Sequence, residues 1–289
     1  MLNRLLTAVR KFIFCYTITA DSGSFLKLLV NTKRYRYGRD FGEDTPVLYH
    51  LLLNGTRKTV FLRTYCGDIE IFYEVFWKKV YSVPTHLAIR PLTVVDLGAN
   101  TGMASLFFSA YYPNAKIYAV EADDNNMQVF LKNLSSEIGS SQVIAIRAAV
   151  FSKDVELFLQ QREKAYNSSI THAKTEISVQ GISMNTLMQK YALDKIDLLK
   201  IDIEGSEEAI FAENTEWMER VSVIVTEIHR PQYRSVCETF LRNRGFLINP
   251  LVNETRTSNL LWATRQSRNG VDFFSRLKGN GKRFIRMCW

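Results

Sequence analysis

The chain has 289 residues, 46% apolar and 23% charged, enough for one globular domain of ample core with an appendage, or for two modest domains. Its formal net charge of +8 sits at the ends: residues 1–40 carry eight Lys/Arg against two Asp, and residues 265–289 carry seven against one. The remaining middle is mildly acidic, which excludes a broad basic groove for nucleic acid on the central domain.

The four cysteines, Cys15, Cys66, Cys237 and Cys288, are far apart and include no Cys-x-x-Cys pair, so neither a zinc site nor a disulfide framework is indicated. Reduced thiols in a cytoplasmic setting are the expectation. His50, His86, His172 and His229 are equally scattered, and no metal site is expected from spacing.

Residues 2–14 place Leu2, Leu5, Leu6, Val9, Phe12 and Ile13 on one helical stripe interrupted by Arg4, Arg10 and Lys11. The segment is too short and too charged to span a bilayer. Tyr16, Thr17 and Thr19 weaken the apolar run that a signal peptide would need. An amphipathic helix is expected, packed on the protein's own body in the first instance, with a peripheral contact to an anionic membrane as the sharper reading. Val47–Leu53 reads as a strand, Asn54-Gly55 as a hairpin turn and Thr59–Tyr65 as the partner strand. From Asp68 to Tyr81 the chain is dense in aromatics, with Tyr73, Phe76, Trp77 and Val80 on one helical face. Residues 1–90 thus form an N-terminal helix and an α+β cap.

The stretch Val94 to Gly102 is a β-branched run that ends in Asp96 and a turn containing Gly98, Ala99, Asn100, Thr101 and Gly102. Leu106, Phe107, Ala110 and Tyr111 follow at helical spacing, completing strand, tight turn and helix, the first unit of a doubly wound sheet. The glycines are expected to allow a sharp turn and close approach to a ligand. Lys116–Val120 is the second strand, and Glu121 lies 25 residues beyond Asp96 at its end. An acid at that place in a dinucleotide-binding fold accepts hydrogen bonds from ribose hydroxyls, so a ribose-bearing cofactor is favoured over a plain surface acid. Asn125–Leu134 reads as a helix and Gln142–Val150 as a third strand, with further strands at Val155–Leu159 and Glu176–Val179. Gln160–Thr175 between them is a polar loop.

A second motif runs from Ile196 to Glu207: an apolar strand, then Asp202, Glu204, Gly205, and a helix opened by Ser206, Glu207 and Glu208. Strand alternation is expected to put Asp202, Glu204 and Lys200 on one side of the central crevice. Val221–Ile228 is the fifth strand, with Glu227, His229 and Arg230 at its end and Pro231 to break it. A helix to Arg244 and strands at Phe246–Asn249 and Asn259–Thr264 complete a sheet of about seven strands.

Four segments together resemble the FkbM family of S-adenosylmethionine-dependent methyltransferases: Asp96 to Gly102, Glu121-Ala122-Asp123, Leu199 to Glu207, and Thr226 to His229. Their order is the family's, and the resemblance covers roughly residues 90–250. It implies a class I (Rossmann-like) methyltransferase fold over residues 91–266, with a seven-stranded, mostly parallel sheet and a reversed last strand, followed by a basic tail at 267–289. It also implies methylation of a hydroxyl on a sugar, glycan or secondary metabolite. Ala122 stands where the family often has proline, which leaves the shape of that turn open. By the resemblance, Asp96 through Gly102 wrap the methionine portion of the cofactor and Glu121 holds its ribose. Ala122, Asp123, Ala148 and Ala149 flank the adenine, and Asp202 and Glu204 close the site.

An alcohol is a poor nucleophile, so a proton acceptor belongs within its reach. His229 is the first candidate because an unperturbed imidazole titrates near neutral pH. Asp202 is the second and Glu227 the third, and Asp202 is also placed to orient the cofactor's amine. Two nearby acids do not by themselves specify a cation. Two other readings stand beside this one. Tyr191 and Lys195, with Ser178 13 residues earlier, have the spacing of an NAD-dependent short-chain dehydrogenase, but that family's glycine pattern is absent. A non-catalytic methyltransferase-like binding module is the other, against which the cofactor turn and the ribose acid are both intact.

Overall fold

The computed structural model describes residues 2–37, 44–84, 87, 89–160, 169–171, 177–204, 207–249 and 259–266. Gly205, Ser206, most of the polar loop at 160–175 and the basic tail at 267–289 lie outside the described residues.

Two helices open the chain, α1 (Leu2–Ile18) and α2 (Ser22–Tyr37). The sequence reading missed α2, although its start is written locally: the Asp21 carboxylate accepts from the Ser24 N–H (2.7 Å) and the Ser24 hydroxyl, as a helix cap does. A hairpin follows, β1 (Val47–Leu53) and β2 (Thr56–Leu62), joined by Asn54 and Gly55, both in the left-handed region. The second strand starts and stops three residues earlier than its alternation suggests. Helix α3 (Asp68–Phe72) runs directly into a wider π-helical turn, Tyr73–Trp77.

The expected stripe on α1 does not pack on the body. Leu5, Leu6, Val9, Phe12 and Ile13 are exposed, and the inward face is made by Cys15 and Ile18 with Phe14 half-buried. The reason is aromatic competition for the same contact. Phe14 sits within 6.1 Å of Phe72, Tyr73 and Trp77, and the Lys11 ammonium lies 3.6 Å above the Tyr73 ring, which fixes the helix rotation.

The main sheet has seven strands: β3 (Thr93–Leu97), β4 (Lys116–Glu121), β5 (Val143–Arg147), β10 (Ile196–Ile201), β11 (Val221–Glu227), β12 (Phe246–Asn249) and β13 (Leu260–Arg265). Their order is β12-β13-β11-β10-β3-β4-β5. Pairs β5–β4, β4–β3, β3–β10 and β10–β11 are parallel, whereas β13 is antiparallel to both of its neighbours. This is the class I methyltransferase topology. A smaller sheet, β6 (Ala149–Val150), β7 (Glu156–Gln160), β8 (Ser169–Thr171) and β9 (Ser178–Ile182), branches off after β5, so the single strand expected over 142–150 divides between two sheets at Ala148.

Helices α4 (Met103–Tyr111) and α5 (Asp124–Asn133) follow β3 and β4, and α6 (Ser135–Gly139) leads into β5. Helices α7 (Met184–Lys190), α8 (Glu207–Ala212) and α9 (Arg234–Asn243) cover the other face. Strand alternation divides the core accordingly. Val94, Leu198 and Val223 pack with Leu106, Phe107 and Phe130, while Val95, Leu199 and Ile224 pack with Leu187, Ile210 and Leu241. The first of these clusters also takes in Leu28, Leu51, Leu62, Phe72 and Phe76, so the cap and one sheet face share a core.

Polar contacts fasten the cap to the main domain. Arg63 and Asp68 form a buried pair (2.8 Å), and Arg63 reaches on to the Asn126 side chain (2.8 Å). The Asn133 amide accepts from the Phe61 N–H (2.6 Å) and donates to the carbonyls of Phe61 (3.1 Å) and Thr101 (2.7 Å).

Candidate active site

The order of the sheet brings the carboxyl ends of β3, β4, β10 and β11 together, and a cavity of about 270 Å³ opens there. Its floor is the turn after β3. Gly98 (φ +73°) and Asn100 (φ +50°) are both left-handed, and the N–H groups of Gly98 and Ala99 converge on the Val120 carbonyl (3.0 and 2.9 Å). A Cβ on Gly98 would stand 1.8 Å from the Asp202 carbonyl oxygen, so only glycine lets β3 and the end of β10 approach this closely.

Of the residues singled out from sequence, Gly98, Ala99, Asn100, Glu121, Ala122, Asp123, Ala148, Ala149, Asp202, Glu204, Glu227 and His229 line this cavity. Asp96, Thr101 and Gly102 do not. Asp96 is fully buried beneath it, 3.1 Å from the Lys200 ammonium, and accepts from the Ser105 hydroxyl (2.7 Å). Thr101 is fully buried, and its carbonyl is taken by Asn133. At Gly102 (φ +87°) an added Cβ would meet Phe130 and Leu134 at 2.8 Å, so this glycine serves helix packing rather than ligand approach. Asp123, besides lining the cavity, caps α5 by accepting from the N–H groups of Asn125 (2.8 Å) and Asn126 (3.0 Å).

Glu121 is buried, and burial raises its carboxyl above the ordinary range, against the pull of two backbone N–H bonds. Those bonds come from Asn100 (2.7 Å) and Asp123 (2.8 Å), one to each oxygen. Each oxygen keeps acceptor capacity toward the cavity, as a carboxylate that receives a diol requires.

Opposite Glu121 lies a network of charges. Strand β10 ends at Ile201, so the acids after it are brought together by a turn rather than by strand alternation. Glu204 is itself left-handed (φ +54°), an uncommon state for a side chain with a Cβ and one that clusters at functional sites. Lys200, buried in the apolar strand, donates to the Gly98 carbonyl (2.7 Å) and lies between Asp96 (3.1 Å) and Asp202 (3.4 Å). Burial alone would lower its pKa, and the two carboxylates reverse that and raise it. The Asp202 carboxyl is disfavoured by burial, yet Lys200, His229 and the Tyr81 hydroxyl (2.9 Å) hold its pKa below the ordinary value.

His229 is surrounded by acids. Its Nδ1 is 2.6 Å from Glu207, and its Nε2 is 3.5 Å from both Asp202 and Glu204. Burial pushes the imidazole down, but these three carboxylates outweigh it and bring the pKa to about 9. The acids around it thus favour the imidazolium over the neutral ring that a proton acceptor would need. Burial raises Glu204 to about 7 and Glu227 to about 8, so the groups poised to exchange a proton near neutrality are these two acids. Ligand atoms of Asp202, Glu227 and His229 lie within 4.8 Å of one another, a spacing a cation could bridge.

The cap adds Glu70, Ile71, Glu74 and Val75 to the cavity wall, along with Tyr81. Sequence reasoning missed Tyr81 and Glu207 as site residues. A buried lysine in an apolar strand was a readable signal for the network, whereas nothing local marks Tyr81, which meets Asp202 from 121 residues away. Ser178, Tyr191 and Lys195 do not form a dehydrogenase site: none lines the cavity, Lys195 is exposed and paired with Asp197 (2.8 Å), and Tyr191 packs on Tyr118. Cys15, Cys66 and Cys237 are free thiols.

Comparison with known proteins finds methyltransferases. The model of the methyltransferase FkbM domain matches residues 96–248. Methyltransferase sdnD of Sordaria araneosa is 27% identical over 211 residues, 61% of this chain and 81% of that protein. The ribosomal RNA small subunit methyltransferase G of Staphylococcus haemolyticus is 29% identical over 115 residues, 39% of this chain and 47% of its own length. The crystal structure of methyltransferase FkbM from Methylobacillus flagellatus KT is 12% identical, with a TM-score of 0.45, covering 60% of this chain and 43% of that one.

Proposed function

The chain belongs to the FkbM methyltransferase family, and from that premise we propose that it binds S-adenosylmethionine and methylates a hydroxyl of a sugar, glycan or secondary metabolite. The observation that carries the reading is the cavity itself, with a diol-accepting carboxylate at one end and a charged, proton-exchanging cluster at the other. The residues present fit such a cofactor. Glu121 has acceptor capacity for a ribose diol, Ala122, Ala148, Ala149 and Leu159 give an apolar slot for a base, and Asp202 offers an anion to a cationic group. When bound, S-adenosylmethionine supplies a methyl carbon on a sulfonium, open to in-line displacement by an oxygen.

The chain's own residues then have distinct tasks. Glu121 and the turn from Gly98 to Asn100 fix one end of the site, which turns a bimolecular encounter into a positioned one. Glu204 takes the acceptor's proton, because its pKa of about 7 leaves a large ionised fraction at neutral pH. His229 holds Asp202 and Glu204 in place as their shared cation, itself oriented by Glu207. The cap acids Glu70 and Glu74 on the cavity wall favour a neutral polyhydroxyl acceptor and disfavour a phosphate-bearing one such as RNA.

Calorimetric titration with S-adenosylmethionine and, separately, NAD tests the reading. Binding of the first is expected, weakened by Glu121→Ala by at least about tenfold, the scale of one lost charge-assisted hydrogen bond. Glu204→Gln should then lower methyl transfer to polyol acceptors by about 10²-fold or more while leaving cofactor affinity nearly unchanged. Binding of NAD without S-adenosylmethionine would overturn the proposal.

A further inference from the structure

The helices α1 and α2 carry an apolar surface that the fold leaves uncovered. Leu5, Leu6, Val9, Phe12, Ile13 and Tyr16 line the outer side of α1, with Leu5 62% and Tyr16 69% exposed. Leu26 and Val30 extend that surface onto α2, and Phe25 joins the two helices through edge-on contacts with Phe12 (5.3 Å) and Tyr16 (5.8 Å). Eight of the thirteen large hydrophobic side chains exposed among the described residues are in this one hairpin. A cluster of that kind marks an interaction surface rather than ordinary scatter.

Its charge says what it meets. Neither helix contains an Asp or a Glu, while Arg10, Lys27, Lys33, Arg34 and Arg36 are all exposed along them. Arg10 is one turn from Leu6 and Ile13, and Arg34 is one turn from Val30, so the cations border the apolar stripe. The acid between the helices, Asp21, is engaged with Ser24 and Arg57. No helix among the described residues is long and apolar enough to cross a membrane.

From these observations we propose that the α1–α2 hairpin docks this protein on an anionic lipid surface, its apolar stripe in the headgroup boundary and its cations on the lipid phosphates. An apolar stripe bordered by cations, on helices too short and too charged to insert, is the arrangement that lies in a membrane interface. Pairing with a second copy through the same face would set these cations against themselves with no acid on either helix to offset them. The hairpin is also tied to the wall of the cavity. Phe14 and Lys11 pack on Tyr73 and Trp77, and Tyr35 donates to Glu70, which lines the cavity with Glu74. Docking therefore holds this wall close to acceptors carried at a lipid surface.

Flotation of the full chain with vesicles of phosphatidylcholine, alone or mixed with phosphatidylserine, tests the proposal. Binding is expected to the mixed vesicles and to fall as salt rises. Replacing Lys33 and Arg34 by glutamine should weaken it by about fivefold per cation removed. Val9→Glu with Ile13→Glu should abolish it while circular dichroism and the melting temperature stay unchanged, since both side chains face outward. Three outcomes would overturn it: no vesicle binding, equal binding to both vesicle types, or a dimer in solution that the same substitutions break. None of these outcomes bears on whether S-adenosylmethionine binds in the cavity, so the two proposals stand or fall separately.

Discussion

Replacing Lys200 by methionine keeps an unbranched side chain of nearly the same length and removes the ammonium that Asp96 touches. Asp96 is wholly enclosed, and without the ammonium 3.1 Å away its carboxylate keeps only the Ser105 hydroxyl. Asp202 loses a partner at 3.4 Å too, but it is partly open to solvent and retains Tyr81 and His229. The cost is thus dominated by Asp96, and removing one member of a buried pair typically costs about 3–5 kcal/mol. Against a total stability of about 5–15 kcal/mol, that is a large fraction. At roughly 2–4 °C per kcal/mol for a chain of this size class, the melting temperature should fall by roughly 6–20 °C. Thermal and urea denaturation of Lys200→Met, Asp96→Asn and the double variant would measure it. The double variant should recover more than about 1 kcal/mol relative to additivity, because it no longer buries an unpaired charge. A single variant within about 1 kcal/mol of the parent, or strict additivity, would refute the reasoning.

Two further outcomes follow from the same region. Gly98→Ala forces a β-carbon into the Asp202 carbonyl and an alanine into the left-handed region, the latter alone costing about 1–2 kcal/mol. Gly102→Ala carries the same left-handed cost but meets the side chains of Phe130 and Leu134 at 2.8 Å rather than backbone at 1.8 Å, so a larger loss of stability and of cofactor binding in Gly98→Ala than in Gly102→Ala is expected from paired melts and titrations. The ligand-free protein should also lose stability as pH rises from about 5 to 9. His229, at about 9 in the fold against an ordinary 6.5, contributes fully below its unfolded value and loses that contribution as pH passes its folded one. Glu204 and Glu227, raised to about 7 and about 8 from 4.5, bind protons more tightly when folded and act in the same direction. Melting curves across that range should slope downward, less steeply in Glu227→Gln; a flat profile, or one that this substitution leaves unaltered, would count against the cluster.

The elements around Asp96–Gly102, Glu121 and Asp202–Glu204 were legible because each is encoded locally. A β-branched run, a glycine turn and a terminal acid lie within a dozen residues, and period and spacing place them. What the sequence withheld depends on partners distant in the chain. The base role expected of His229 rested on an isolated imidazole, whereas three carboxylates from the segment after β10 decide its protonation. Thr101 and Gly102 belong to the motif by position but are turned into the protein by Asn133, Phe130 and Leu134. The stripe on α1 was visible, but which way it faced was not, because amphipathicity does not say whether the partner is the protein or its surroundings. Helix α2 was missed despite its Asp21 cap, since its apolar residues are interspersed with basic ones and its periodicity is shallow.

The amide of Asn133 has a consequence for how the two ends of the cavity communicate. It grips the second hairpin strand through both groups of Phe61 and the cofactor turn through Thr101, so neither can shift without straining the other. An acceptor that settles the cap is then working on the same mechanical element that a cofactor settles from below. Were ligands seated on both sides of this brace to bias its position, thermodynamic reciprocity would demand that each alter the other's affinity by the same factor.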